Sequence, residues 1–410
     1  MSVDGARRTE ILEKAAMLFA SSGLRTSLKE IADACGILPG SLYHHFESKE
    51  AIIVELIERY RADLDEIAQK ALHELQEPGP EPVSERISAL SSAIAACAVR
   101  HRAAVLLSFY EPPSGAGDEL VRVSRGTPVA IEAAMLATLR LGRASGYIRS
   151  GIDLETLADR FCTTSLGVFP GAPGAEQLPA IRCRILLDGV ATRPPTDAAL
   201  DRSAAFLAAQ QVVDSWHKAE DEEDERVTKL RAVARAEFGR KGYEATTVRD
   251  IASAAGLATG TVYRLIGSKD ELLASIMRSF EATVQSGWKS VLESASSAVE
   301  KLDALMWINI NVVERFNDEY NTELAWLRES PPTKAKLGRT LTARLRDLKA
   351  LLADGARTGE IRVEAPTADI RAWSMFDAVW TEPTILRKVG ARAALGLARD
   401  SVLRGAAQRP

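Results

Sequence analysis

Two segments of this 410-residue chain, Phe19 to Lys49 and Phe238 to Lys269, carry one pattern, and that repeat constrains the fold more than any other feature. Phe19 and Gly23 recur as Phe238 and Gly242 at an offset of 219. After one extra residue in the second copy, Ile31-Ala32, Gly36, Gly40, Tyr43 and Lys49 recur as Ile251-Ala252, Gly256, Gly260, Tyr263 and Lys269 at an offset of 220. The paired prolines Pro112-Pro113 and Pro331-Pro332 keep the register, as do "LRLGRASGYIRSGIDLETLAD" and "LLADGARTGEIRVEAPTADIR". A unit of about 200 residues has therefore been duplicated and has diverged. The acidic run Glu220 to Glu225 reads as a solvated linker rather than a magnesium site built on Asp221 and Asp224.

Local signals are helical. Ile11, Ala15, Leu18 and Phe19 fall at i, i+4, i+7 and i+8, one stripe of an amphipathic helix. Ser27 with Glu30 and Thr247 with Asp250 have capping-box spacing, so a second helix starts at each. Its buried face is Leu28, Ile31 and Ala32 in one copy and Val248, Ile251 and Ala252 in the other, and Gly36 and Gly256 end it. "LPGSLYHHF" and "ATGTVYRLI" begin short third helices, and Ser48 and Ser268 cap fourth ones, with Glu271 completing a box in the second copy only. An all-α fold is predicted, and a chain rich in Ala, Leu, Arg and Glu with 6% aromatics agrees.

Helix, glycine turn and a short helix carrying Gly, a hydroxyl and Tyr together read as a helix-turn-helix. Small residues at "IADA" and "IASA" let the next helix cross closely. That helix must present little bulk where DNA is nearest and hydrogen-bonding tips at its margins. The net charge of −4 argues against coating nucleic acid by bulk charge, so DNA binding has to come from a local surface. The adjacent His44 and His45 point about 100° apart on a helix and make a poor metal pair.

Both segments resemble the DNA-binding domain of the TetR family of bacterial regulators, over about 45 residues of each half, and the chain resembles that family's tandem subgroup. The resemblance implies two helix-turn-helix heads with helical regulatory bundles, forming an intramolecular pseudo-dimer. The expected division is 1–55 and 227–274 for the heads, 56–212 and 275–410 for the bundles, and 213–226 for the linker. It implies DNA contacts from Ser27, Lys29, Leu38, Pro39, Gly40, Ser41, Tyr43, His44 and Lys49 in the first head. In the second they are Thr247, Arg249, Thr259, Gly260, Thr261, Tyr263, Arg264 and Lys269. Capping alone is the competing reading for Ser27 and Thr247, and an internally satisfied hydroxyl that for the tyrosines.

The copies differ where specificity would lie. Ala258, Thr259, Arg264 and Leu265 replace Leu38, Pro39, His44 and His45, and Ile266-Gly267 depart from the family's usual Phe and polar residue. Residues 1–55 hold six Lys and Arg against eight Asp and Glu, a net of −2, whereas 226–273 hold nine against five, a net of +4. The second head is the stronger expected phosphate binder.

By resemblance, a small hydrophobic effector would release a repressor from an asymmetric operator. The aromatics Phe109, Tyr110, Trp326, Trp373 and Phe376 are candidate pocket residues, and "LETLADRFCTTSLGVF" and "ADIRAWSMFDAVW" are candidate pairing helices. A ligand-independent activator or scaffold shares the same heads. An all-helical enzyme lacks support, since the sequence has no H-E-x-x-H, nucleophile elbow or Gly-rich phosphate loop. No cofactor or metal is expected. Four scattered cysteines without C-x-x-C spacing, no signal-peptide core and no membrane-length apolar run point to a cytoplasmic protein, a pseudo-dimer in one chain with a homodimer as the further option.

Overall fold

The computed structural model describes residues 3–22, 26–76, 81–108, 116–125, 128–167, 172–216, 225–243, 246–328 and 338–408. The first unit begins with α1 (Val3–Ser22), α2 (Leu28–Ala34), α3 (Pro39–Tyr43) and α4 (Lys49–Gln76). It continues through α5 (Val83–Arg100), α6 (Arg102–Leu107), α7 (Asp118–Arg125), α8 (Val129–Ala144), α9 (Leu154–Leu166) and α10 (Leu178–Asp188). Two connecting helices follow, α11 (Asp197–Leu200) and α12 (Ala204–Trp216). The second unit comprises α13 (Glu225–Lys241), α14 (Val248–Ala255), α15 (Thr259–Ile266), α16 (Lys269–Leu292), α17 (Ala298–Arg315), α18 (Asn317–Arg328) and α19 (Gly338–Arg357). It ends with α20 (Ala368–Ala378), α21 (Pro383–Val389), α22 (Ala391–Ala398) and a π-helical turn, Arg399–Leu403. Among the described residues no helix is long and apolar enough to cross a membrane.

Short-range chemistry sets the helix starts. Ser27 Oγ accepts from the Glu30 amide at 3.2 Å while Glu30 Oε2 accepts from the Ser27 amide at 2.7 Å. Thr247 and Asp250 repeat this at 3.1 and 2.8 Å, and Ser268 with Glu271 forms the box absent from the first copy. Gly36 and Gly256 turn the chain with φ of +63° and +68°, a conformation that costs a side chain about 1–2 kcal/mol. Ile11, Ala15 and Phe19 on α1 close over Ile31, Ala32 and Leu42, all buried.

The two units meet through a joint whose hydrogen bonds come in exchanged pairs. The Val190 amide donates to the Val402 carbonyl, and the Ala406 amide donates to the Leu186 carbonyl, each at 2.8 Å. Ala191 to Leu403 at 3.0 Å is matched by Ala407 to Leu187 at 2.8 Å. Arg362 to Val190 at 2.8 Å is matched by Arg149 to Ala406 at 2.9 Å. Ile148 bridges to Ala407 as Ile361 bridges to Ala191. In every pair the residue positions swap between units, the arrangement of an isologous two-fold contact. Gly189 and Gly405 face each other at its centre.

Side chains extend the joint. α9 lies against α21, and α10 packs on α20 and the π-helical turn. The buried Arg160 on α9 donates to the Ala378 carbonyl at 2.6 Å, and Arg182 on α10 stands 3.4 Å from Asp377. The predicted pairing helices α9 and α20 are thus both at the junction, together with α10 and the chain's last helical turn. Helix α12, which straddles the expected boundary between the first bundle and the linker, packs against α16 and α17 of the second unit, where Phe206 lies 5.7 Å from Trp307.

One buried ion pair anchors the final turn. Arg399 holds Asp303 through Nε–Oδ1 at 2.8 Å and Nη2–Oδ2 at 2.9 Å, and its Nη2 also reaches Asp201 at 2.8 Å. Removing the guanidinium leaves the buried Asp303 carboxylate uncompensated, which costs about 3–5 kcal/mol. Arg399→Met is expected to shift the denaturant midpoint accordingly, while Arg346→Met, which breaks the exposed Arg346–Asp347 pair, leaves it nearly unchanged.

Candidate nucleic-acid interface

Each head turns the start of its third helix outward. Leu38, Pro39, Gly40, Ser41, Tyr43 and His44 are exposed around α3, as are Gly260, Tyr263 and Arg264 on α15, with Thr259 and Thr261 half-buried. Three of these, Leu38 at 76%, Tyr43 at 55% and Tyr263 at 51%, are among the most exposed large apolar side chains in the described structure. The inward positions Leu42 and Val262 are fully buried. An added Cβ at Gly40 or Gly260 would meet nothing within 4 Å, so the backbone is open to a close approach from outside. His45 is half-buried and its carbonyl accepts from Arg8, so the histidine pair is split between the outer surface and the packing.

Lys29 and Arg249 lie exposed on the first turns of α2 and α14. Between them and the loops, the hydroxyls of Ser27 and Thr247 donate to their own box carboxylates, at 2.7 and 2.6 Å. Those protons are spent on capping. What remains for an anion there is the exposed helix start, weakened by the carboxylate it already holds.

The fourth-helix lysines stand at matching helix starts. Lys49 is half-buried at the start of α4. Lys269 donates to the Tyr243 and Thr246 carbonyls at 2.6 and 2.7 Å and lies 4.1 Å from the centre of the Tyr243 ring. The Tyr243 hydroxyl donates to Asp270, which closes the loop onto α16. Lys269 thus ties the α13–α14 turn to the fourth helix, a role that the shared lysine in the sequence did not suggest. Lys269→Ala is expected to lower the melting temperature of the second head, because each hydrogen bond to a charged donor contributes about 1.5–3 kcal/mol. An unchanged melting temperature would leave the ammonium without a structural role.

Ile266 and Gly267 stand where the first head has Phe46 and Glu47. Gly267 adopts φ +73°, and a Cβ there would run into Glu271, the box residue of α16. In the first head Phe46 fills the matching place, 2% exposed, with the Arg8 guanidinium 4.1 Å from its ring centre.

Of the candidate pocket residues, Phe109 and Tyr110 lie outside the described residues, as does the side chain of Trp326 on α18. Trp373 and Phe376 sit 6.2 Å apart on α20, and Phe376 leads on to Trp380, itself stacked on Tyr320 at 5.0 Å. The buried Arg344, paired with Glu323, faces the Phe376 and Trp380 rings. Phe376, Trp380 and Tyr320 are buried, and Trp373 is half-buried.

The model of the N-terminal segment of "Bacterial regulatory proteins, tetR family" matches residues 11–56 and 230–276, the two heads just described. The HTH-type transcriptional repressor KstR2 of Mycobacterium tuberculosis is 33% identical over 192 residues, which are 45% of this chain and 93% of that protein. The chain belongs to the tetR family. KstR2 of Rhodococcus jostii is 58% identical over a shorter stretch of 59 residues, 14% of this tetR-family chain and 29% of that protein. The solved ketosteroid transcriptional regulator KstR2 of M. tuberculosis aligns with a TM-score of 0.37 at 21% identity, covering 46% of this chain and 98% of that one. With two matched heads, the protein is a tandem member of the tetR family, and DNA-binding transcriptional regulation is the work of that family.

Proposed function

We propose that the two tetR-type units pair within one chain and present both heads to a single operator, acting as a repressor. The exchanged hydrogen bonds between Leu186–Ala191 and Val402–Ala407 carry this reading, because a two-fold contact of this kind is what sets paired heads one DNA turn, roughly 34–36 Å, apart. Ser41, Tyr43 and His44, and Thr261, Tyr263 and Arg264, approach DNA through the openings at Gly40 and Gly260. Since the outward residues differ, the two half-sites differ too, and the operator is asymmetric. The KstR2 relatives are named repressors, which supports repression here, with release by a small hydrophobic effector and a cytoplasmic setting completing the reading.

The units are divided as heads 1–55 and 227–274 and bundles 56–212 and 275–410 around the linker 213–226, with α12 of the first segment leaning on the second bundle. Footprinting combined with the mass of the complex tests the whole. One chain on two unlike half-sites is expected, and two chains on a perfect palindrome would overturn it. A ligand-independent activator would give the same footprint but no release during titration with apolar metabolites.

A further inference from the structure

Away from the heads, Asp63 on α4 and Cys97 and His101 at the end of α5 bring an oxygen, a sulfur and a nitrogen within 4.8 Å of one another. We propose that these three side chains form a binding site for a divalent transition metal of the zinc class, fastening α4 to α5 in the first unit.

Cys97 and His101 are four residues apart, so they share one helix face, and Asp63 meets them from the facing helix. His101 sits where α5 breaks before α6, with φ −102° and ψ 31°, and its Nε2 is 2.8 Å from Asp63 Oδ2. Tetrahedral zinc needs bonds of about 2.0–2.3 Å, hence ligand atoms roughly 3.5 Å apart, which small side-chain rotations supply from the present spacing. Thiolate and imidazole select a borderline metal over magnesium or calcium. Arg100 Nη1 donates to the same Asp63 Oδ2 at 2.7 Å and would keep the carboxylate oriented once a metal displaced His101 from it. Three protein ligands leave a fourth position for water, and Asp63, one-third exposed, gives an entry path. Burial keeps the free Cys97 thiol protonated, so the metal must displace that proton.

The second unit supplies an internal comparison. Phe316 caps α17 as His101 caps α5, each amide bonded to the carbonyl four residues back. The positions matching Asp63, Cys97 and His101 are then Thr283, Val312 and Phe316. Phe316 there packs on Phe280 of α16, with ring centres 6.1 Å apart, so the helix pair is held without the ligand trio.

The test uses the full-length, reduced protein, stripped by a chelator and titrated with cobalt(II), then with zinc in competition with a chromophoric chelator. One equivalent of cobalt is expected to give a thiolate-to-metal charge-transfer band with tetrahedral ligand-field bands, both displaced by zinc. Cys97→Val, or Cys97→Ser should the first fold poorly, is expected to abolish the charge-transfer band. His101→Phe and Asp63→Thr weaken zinc binding at least tenfold, and Cys162→Ala leaves it intact. Absence of a saturable band, or a band that survives the Cys97 variants, overturns the site. The effect of such a clamp on the reading head rests on the operator reading above, whereas the cobalt spectrum reports on the site whether or not that reading holds.

Discussion

Gly405→Ala is expected to break the joint between the two units, and Gly189→Ala to do the same from the other side. A Cβ on Gly189 would fall inside the van der Waals envelope of the Gly405 nitrogen and the Arg404 carbonyl carbon, and one on Gly405 inside that of the Asp188 carbon and the Leu187 oxygen. These are backbone atoms and cannot swing aside. Both residues also have positive φ, +66° and +82°, which disfavours a side chain. Strain of about 1–2 kcal/mol adds to an overpacking cost of about 1–3 kcal/mol, and the exchanged hydrogen bonds weaken as the strands of backbone separate. Denaturant unfolding of both variants should show a loss of about 2–5 kcal/mol. Gly359→Ala separates the two causes, since φ +74° there brings strain while the space around it is open. A Gly405→Ala protein no less stable than the Gly359→Ala protein would mean that the joint is not closed in solution.

Disabling one head should cost operator affinity far beyond the contacts removed. With two linked heads, the second binds at a high effective concentration, and losing it forfeits a factor of about 10²–10⁴. The double substitution Ser41→Ala with Tyr43→Ala, and separately Thr261→Ala with Tyr263→Ala, is expected to fall in that range by fluorescence anisotropy at fixed salt. Because 226–273 is positive and 1–55 negative, the salt dependence should flatten more when the second head is disabled. Equal slopes for the two variants would count against the division of labour, and affinity losses below tenfold for both would remove the paired-head reading. Lys269 is left intact in these proteins, since its ammonium also supports the fold.

The caps and turns of both heads were legible because they are made by neighbours. Ser27 with Glu30, Thr247 with Asp250 and Ser268 with Glu271 act over three residues, and Gly36 and Gly256 act on their own backbone. The same pattern gave no sign of what Lys269 holds, because its partners are main-chain carbonyls that no residue type announces. Trp373 and Phe376 could be read as pocket or core, and no spacing in the sequence announces that Phe376 leads on to Trp380 and Tyr320. Helix α12 spans the expected boundary at 212/213, and its packing on α16 and α17 is a long-range contact that position in the chain does not announce.

By itself the sequence determined that the chain is helical, that it is doubled, and which short helices point outward with small residues at their starts. Period, capping and repetition are local or self-comparing properties, and each survives in a string of letters. Tertiary structure alone decided that Leu186 to Ala191 and Val402 to Ala407 exchange backbone hydrogen bonds across more than 200 residues of chain, and that Asp63 meets Cys97 and His101. Main-chain pairing of this kind needs only clearance from side chains, so its one trace in the sequence is a pair of glycines, and nothing in either glycine says which other it will face.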